Sequence, residues 1–297
     1  MSTWTAADVP DQTGRTAIIT GGSGGLGLAT AAVLARAGAR VVLAVRSVPR
    51  GQAAAAQLEG RAEVRQLDVS DLGSVRRFAA DWTGDVDLLV NNAGIMEVPL
   101  ARTTEGFESQ LATNYLGPFV LTALLLPHLT DRVVSVASQL HSAGHVHLDD
   151  LNAERRPYKA LDAYRDSKLC LVLFALELQR RLEGAGSATR SVVAHPGIAS
   201  TDLARHATSG KVTHALRFLF NDVPTGAESV LYAATQDVPG GAYVGPRGPG
   251  GLKGHPALGR PAKPAVDEGT AKRLWDVTAR LTGTGPDLPA LPGARHR

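Results

Sequence analysis

The stretch Thr20-Gly21-Gly22-Ser23-Gly24-Gly25-Leu26-Gly27 decides the fold. It separates the β-branched run 16–20, which predicts a first strand, from an alanine-rich segment that predicts a helix to Ala37. Glycines here allow a tight turn, and they let backbone N–H groups approach a pyrophosphate at the helix N-terminus. A flexible loop is the alternative, but the position between a strand and a helix favours a nucleotide site.

Short strand-like runs then alternate with helical patterns as far as His195. Further strands are predicted at 41–45, 63–67, 87–91, 132–137 and 191–194, with a short apolar run at 242–244. Helical segments fall near 50–59, 72–82, 105–127 and 162–182. Strict alternation indicates parallel strands joined by right-handed crossovers. We therefore predict an α/β fold, a single Rossmann-type doubly wound parallel sheet of about seven strands with helices on both faces.

The length of 297 residues suits one large domain, which we expect over 14–282. An N-terminal extension (1–13) precedes it, and a Pro-containing tail (283–297) that we expect to be disordered follows it. Residues 198–223 are predicted to form a small lid over the substrate. The Gly- and Pro-rich segment 245–264 is predicted to be a loop.

Composition limits the class of protein. The chain is 44% hydrophobic and 20% charged with a formal net charge of +3, and it has no basic stripe, so nucleic acid is not an expected partner. Cys170 is the single cysteine, which excludes an intramolecular disulfide, and its apolar neighbours predict a buried, inert thiol. No apolar run reaches the ~20 residues that span a bilayer. We expect no membrane partner and a cytoplasmic location.

The pair Tyr164 and Lys168 lies four residues apart, so on a helix both side chains share one face. The ammonium is expected to lower the pKa of the phenol below its usual value of about 10. Alone the pair is a weak signal, because many solvated helices carry one. The segment 169–178 is apolar on nearly every side, which favours a homo-oligomer through the helices near 105–127 and 162–182 over internal burial.

Arg46 follows the second predicted strand, nineteen residues after Gly27. In a nicotinamide-binding fold this point faces the adenosine ribose, where a carboxylate would accept from the 2′-hydroxyl. An arginine can pair with a 2′-phosphate instead. Arg46 therefore favours NADP(H) over NAD(H), with a solvated arginine as the alternative.

In combination these stretches resemble the short-chain dehydrogenase/reductase superfamily, over most of residues 15–203. Val45-Arg46, His195-Pro196-Gly197 and Tyr243-Val244-Gly245-Pro246 are similar to the retinol dehydrogenase and protochlorophyllide reductase-like group. By this resemblance, the catalytic residues are Asn114, Ser138, Tyr164 and Lys168, and no metal is implied. The cofactor-binding residues implied are Gly21, Ser23, Gly24, Gly25, Leu26, Gly27, Arg46, Asp68, Val69, Asn92, Ala93, Gly94, Tyr164, Lys168, Pro196, Gly197 and Thr201.

The resemblance implies reversible hydride transfer between NADP(H) and a carbonyl or secondary alcohol of a small, mostly apolar substrate. Tyr164 is then the general acid and base, and Lys168 lowers its pKa and holds the nicotinamide ribose. Ser138 hydrogen-bonds the carbonyl oxygen, Asn114 positions a water, and Thr201 anchors the carboxamide. A non-catalytic NADP-binding sensor or scaffold, and a reductase of carbon–carbon double bonds, remain as alternatives.

One departure from many family members is the separation of Ser138 from Tyr164 by 26 residues, where about a dozen is common. The extra segment (about 141–161) is expected to loop out near the mouth of the active site. It carries His141, His145 and His147, which we expect to line the substrate entrance or to face water rather than to bind zinc.

Overall fold

The computed structural model describes residues 3–197 and 222–285, and eight strands form one sheet within them. The order is β3-β2-β1-β4-β5-β6-β7-β8, in which β1 to β7 are parallel and β8 runs antiparallel to β7. The strands are β1 Thr16–Thr20, β2 Arg40–Val45, β3 Arg61–Gln66, β4 Val86–Asn91, β5 Leu129–Val136, β6 Arg190–Ala194, β7 Tyr243–Pro246 and β8 Pro256–Gly259. The predicted α/β fold is confirmed.

Helices cover both faces of this sheet. The main ones are α1 Gly25–Arg36, α2 Val48–Ala55, α3 Leu72–Ala80, α4 Ser109–Leu111, α5 Gly117–Leu125, α6 Ala160–Gly184, α7 Val223–Thr235 and α8 Glu268–Thr282. β1 pairs with β2 on one side and with β4 on the other, so the strand order reverses there. Ligands of doubly wound sheets bind in the crevice outside the carboxyl ends of the strands at such a point.

The strand count differs from the seven expected because β8 lies within the predicted loop 245–264. Its pairing with β7 extends from Tyr243 opposite Gly259 to Pro246 opposite Pro256. A four-residue edge strand that begins with proline and ends with glycine has no hydrophobic alternation. It is held by main-chain pairing with β7, which the local sequence does not reveal.

Most of the apolar segment 169–178 is buried within the chain itself. Helix α8 lies against α6, and its Trp275 ring packs 4.9 Å from Phe119 and 5.8 Å from Phe174 (centroid distances). The Tyr115 hydroxyl is 2.7 Å from the Thr278 hydroxyl in the same contact. Internal burial accounts for the apolar character of this segment, and the homo-oligomer through the helices near 105–127 and 162–182 stays a prediction.

The predicted helix 105–127 is shorter and irregular. It begins at α4, where the buried Glu108 carboxylate accepts from the N–H groups of Gln110 and Leu111 at 2.8 and 2.7 Å. A π-helical turn over Ala112–Leu116 then leads into α5. A Cβ atom on Gly117 would lie 2.0 Å from the Val69 carbonyl oxygen, so the close approach of these two segments requires a glycine.

Both ends of the described chain pack on the domain. The Trp4 ring lies 5.2 Å from the Tyr232 ring on α7, and the Gln12 N–H donates to the Ala37 carbonyl at 2.7 Å. At the other end Gly283, with φ +61°, terminates α8, and Thr284 is buried. Residues 198–221 of the expected lid and 286–297 of the expected tail lie outside the described residues.

None of the helices described is both long enough and apolar enough to cross a bilayer. Cys170 is buried, as predicted, and burial raises the pKa of its thiol.

Candidate active site

The glycine-rich turn joins β1 to α1 and is hydrogen-bonded to the residues that follow β4. The Thr20 hydroxyl oxygen accepts from the N–H groups of Asn92 and Ala93, each at 3.0 Å. Gly21 has φ +66°, which favours glycine. A Cβ atom on Gly27 would lie 2.6 Å from both the Gly21 carbonyl oxygen and Asn92 Nδ2. The glycines thus bring β1, α1 and the end of β4 together.

The outer side of this turn has room for an anion. A Cβ atom on Gly24 would meet nothing within 4 Å, and Gly24 is the N-cap of α1 with no side-chain cap. Uncapped N–H groups at a helix start are a binding site for a phosphate. Ser23 and Leu26, which belong to the same turn, are half-buried. These residues fit the pyrophosphate of a dinucleotide.

The residues predicted to hold the adenosine half follow β2 and β3. Arg46 is exposed directly after β2. Asp68 lies just beyond β3, and its Oδ1 accepts from the N–H and the hydroxyl of Ser70 at 3.0 and 2.6 Å. Val69 is buried beside Gly117. The structure therefore places Arg46 in an exposed position at the end of β2, and the hydrogen bonds from Ser70 fix the orientation of the Asp68 carboxylate.

Tyr164 and Lys168 project from α6 as neighbours, and both are buried. Lys168 Nζ lies 5.9 Å from the centre of the Tyr164 ring and donates to the Val136 carbonyl at 2.9 Å. A Cβ atom on Gly94 would lie 3.4 Å from Lys168 Nζ and 3.2 Å from Asn114 Oδ1. The residues after β4 thus meet the predicted catalytic side chains at one point.

The pKa of Tyr164 is shifted in the direction opposite to the one expected. Burial raises it to about 12, and a hydrogen bond with the Ser138 side chain opposes part of that shift. Burial lowers the pKa of Lys168 to about 8. Desolvation disfavours the charged form of each group, and it is the largest influence on both pKa values. At neutral pH the phenol carries its proton, as a general acid must.

Asn114 lies within the π-helical turn and is fully buried. Its Nδ2 donates to the Ile95 carbonyl and to the Ser167 hydroxyl, and its Oδ1 accepts from the Ile95 N–H, each at 2.9 Å. Pro118, four residues further on, has no N–H, so the Asn114 carbonyl lacks its usual α-helical donor. π-helical turns of this kind are frequent at functional sites.

Ser167 is a site residue that the sequence did not single out. Its hydroxyl donates to the Tyr164 carbonyl at 2.8 Å while it accepts from Asn114. This joins the π-helical turn to the backbone of α6 at Tyr164. Its position between Tyr164 and Lys168 could have drawn attention to it, but its partner Asn114 is distant in the chain.

Ser138 follows β5, and its hydroxyl accepts from the Leu140 N–H at 3.2 Å in addition to its contact with Tyr164. Ser135, the other serine near the end of β5, is fully buried within the strand. Ser138 is therefore the serine positioned beside the phenol.

The three histidines of the inserted segment have separate roles. His141 is buried, contrary to the expectation that it lines an entrance or faces water. His147 Nε2 lies 3.7 Å from the Asp166 carboxylate, and the His145 N–H donates to the same carboxylate at 2.8 Å. Within residues 3–197 and 222–285, no cluster of His, Cys, Asp and Glu side chains is arranged to hold a metal ion.

The segment after β6 leaves the sheet at the same edge as Ser138, because β6 is the parallel neighbour of β5. Gly197 has φ +70°, and a Cβ atom there would lie 2.3 Å from the Leu252 carbonyl oxygen, so glycine is required. Pro196 precedes it, and Thr201 lies outside the described residues.

The sequence profile of a known family matches residues 15–211, which is more than half of the chain, and its description is short chain dehydrogenase. The chain belongs to the short chain dehydrogenase family. Within this family it is 39% identical over 293 residues to Retinol dehydrogenase 13 of Homo sapiens, covering 91% of this chain and 85% of the relative. It is 40% identical over 300 residues to Polyprenol dehydrogenase of Mus musculus, covering 93% and 86%.

Two crystal structures agree with the fold. A protein from Mycobacterium Paratuberculosis is 48% identical with a TM-score of 0.87, and the alignment covers 97% of this chain and 100% of that chain. A short chain dehydrogenase from Burkholderia cenocepacia J2315 in complex with NADP is 27% identical with a TM-score of 0.62, covering 78% and 96%. The chain is thus an oxidoreductase of this family related to the retinol dehydrogenases.

Proposed function

We propose that the protein is an NADP(H)-dependent oxidoreductase that interconverts a carbonyl group and an alcohol on a small, mostly apolar substrate, with Tyr164 as general acid and base. The observation that carries the proposal is the meeting of Asn114, Ser138, Tyr164 and Lys168 beside Gly94 at the carboxyl edge of the sheet. A module that only binds a nucleotide has no need of this proton-transfer set.

In the reductive direction Tyr164 donates its proton to the substrate oxygen as negative charge develops there. The Ser138 hydroxyl, whose oxygen accepts from Leu140 and which contacts Tyr164 in this structure, donates its proton to the same oxygen once the substrate is bound. A bound nicotinamide supplies the hydride that adds to the carbonyl carbon. In the oxidative direction Tyr164 acts as the base and Ser138 keeps its role.

Tyr164 must recover a proton after each reduction. Lys168 is adjacent, and its pKa of about 8 allows it to give up a proton and regain one near neutral pH. We propose that the Asn114 carbonyl, which Pro118 leaves without an α-helical donor, holds a water that exchanges protons with Lys168. Solvent, this water, Lys168 and Tyr164 then form a route for proton return.

Arg46 supports NADP(H) as the cofactor. It is exposed at the end of β2, where an arginine can form a charge-assisted pair with a 2′-phosphate. The related Burkholderia structure holds NADP, which agrees with this choice.

The names of the relatives support an apolar substrate. Retinol and polyprenols are long apolar alcohols, and one relative is named for each. The lid expected over 198–223 contains Phe218, Leu219 and Phe220, whose side chains would suit such a molecule.

The test is turnover of purified protein with NADPH, and with NADH in parallel, on retinaldehyde, a short polyprenal, simple aldehydes, ketones and quinones. We expect oxidation of NADPH that is faster than that of NADH, and an alcohol as the product. A saturated carbon–carbon bond in the product would identify a double-bond reductase instead. Binding of NADPH without turnover on any member of the panel would favour a sensor or scaffold.

A further inference from the structure

His141 makes two contacts that connect the Ser138 loop with a distant part of the chain. The side chain is 1% exposed. Its Nδ1 lies 2.8 Å from the Ser138 carbonyl oxygen, and its Nε2 lies 3.0 Å from the Ala262 backbone nitrogen. The His141 backbone N–H also donates to the Ser138 carbonyl at 3.0 Å. The Ser138 carbonyl therefore forms hydrogen bonds with both the ring and the backbone N–H of His141.

These contacts define the tautomer of His141. A backbone N–H can only donate, so Nε2 accepts from Ala262 and carries no proton. Nδ1 then carries the proton and donates it to the Ser138 carbonyl. Burial lowers the pKa of His141, which favours this neutral form.

An aromatic stack extends from His141 through Tyr243 to His195, just after β6. The Tyr243 ring lies 5.5 Å from the His141 ring and 5.0 Å from the His195 ring, to which it is nearly parallel at 27°. The Tyr243 hydroxyl donates to Gln139, next to Ser138, at 3.3 Å. His195 directly precedes Pro196. The stack thus sets the spacing between the Ser138 loop and the Pro196-Gly197 segment.

We infer that His141 is a positioning residue for Ser138, which it holds so that the serine hydroxyl faces Tyr164 and the substrate oxygen. The inference rests on the proposed function, and His141 itself touches no reacting atom. The hydrogen bond from the Leu140 N–H to the Ser138 hydroxyl is long, at 3.2 Å, so it holds the hydroxyl weakly. The orientation of the hydroxyl therefore depends on the position of the Ser138 backbone. Small misplacements of a catalytic group are costly to the rate.

Three substitutions separate the two contacts of the ring. His141→Phe keeps a ring but removes both hydrogen bonds. His141→Asn places an amide N–H near the position of Nδ1 and keeps a donor to Ser138. His141→Gln places its amide near the position of Nε2 and keeps an acceptor for Ala262. Each variant is measured for kcat, KM, NADPH binding and thermal unfolding, with rates corrected for the folded fraction.

We expect His141→Phe to lower kcat about tenfold while the Kd for NADPH changes less than about twofold. His141→Asn should recover most of that kcat, and His141→Gln should not, although it keeps more of the thermal stability. A purely structural role predicts the reverse, with activity following stability. Equal kcat in His141→Phe and wild type, or better rescue by Gln than by Asn, would overturn the inference.

The tautomer gives a readout that does not use turnover. In histidine-labelled protein, ¹⁵N NMR should show a protonated Nδ1 and an unprotonated Nε2 for the resonance that disappears in His141→Phe. The opposite tautomer would overturn the arrangement even if activity changed. Wild-type protein that binds NADPH but turns over no substrate would instead overturn the proposed function, and this inference with it.

Discussion

Lys168 Nζ lies 5.9 Å from the centre of the Tyr164 ring and donates at 2.9 Å to the Val136 carbonyl at the end of β5. The ammonium is buried, with a pKa of about 8, next to a phenol with a pKa of about 12. Burial therefore moves the two pKa values apart, so that proton return from the Lys168 ammonium to a Tyr164 phenolate is energetically downhill. Burial keeps the phenol protonated, and it makes the lysine ready to lose a proton.

Burial of Lys168 has a measurable effect on stability. Its pKa in the folded protein, about 8, is below the reference value of 10.5, so between these values the unfolded chain binds more protons. The stability that Lys168 contributes therefore rises with pH across this window. We expect the Tm of wild type minus that of Lys168→Met to increase from pH 7.5 to pH 10.5, about the window between these two values.

Lys272→Met, at an exposed position of α8, controls for the loss of one positive charge. A Tm difference for Lys168→Met that stays flat or falls with pH would contradict a buried ammonium at this site.

Arg46 can be tested through the choice of cofactor. Arg46→Ala should raise KM for NADPH about tenfold, because an exposed pair with a phosphate is worth about 1–2 kcal/mol. Turnover with NADH should change little, and kcat should be preserved. Arg36→Ala, on the exposed end of α1, is the matched control. Equal increases in KM for NADPH and NADH would show that Arg46 does not recognise the 2′-phosphate.

Substitutions at two glycines of the first turn should have different effects, one on NADPH binding and the other on stability. Gly24 has φ −178° and open space around it, so Gly24→Ala should fold with an unchanged Tm and bind NADPH about tenfold more weakly. Gly27→Ala places a Cβ atom 2.6 Å from the Gly21 carbonyl oxygen and should lose about 1–3 kcal/mol of stability. Thermal unfolding and titration calorimetry with NADPH check both. Normal NADPH affinity in Gly24→Ala would show that the open side of the turn is not the phosphate site.

The fold was predictable because its signals are local. Parallel strands buried on both faces give β-branched runs such as 41–45, and the turn at Gly21 needs glycine for steric reasons. β8 was missed because its pairing with β7 leaves no periodicity in its own sequence. The packing of Trp275 against α6 could not be predicted, because nothing near residue 170 points to a partner so distant in the chain.

The site residues, like the elements of the fold, were predictable only where the signal is local in the sequence. Side-chain types at motif positions predicted Tyr164 and Lys168, but the raised pKa of Tyr164 depends on burial by elements that are remote in sequence. Ser167 and His141 were missed as site residues because each acts through a partner far along the chain, Asn114 in one case and Ala262 in the other.

Trp275 should be important for the stability of the α5–α6 face. Trp275→Ala removes the contacts with Phe119 and Phe174 and should lower the free energy of unfolding by about 3–5 kcal/mol. Leu281→Ala, 40% exposed on the same helix, should cost much less. Denaturant titration measures both variants. Equal losses of stability in Trp275→Ala and Leu281→Ala would contradict this role of Trp275.

The most direct measurement compares Tyr164→Phe with wild type on the best carbonyl substrate of the NADPH panel. Tyr232→Phe, on α7, is the matched control. Removal of a general acid should lower kcat about 10²- to 10⁴-fold, while the Kd for NADPH and the Tm stay close to wild type. Tyr164→Phe that turns over at the wild-type rate would contradict the account.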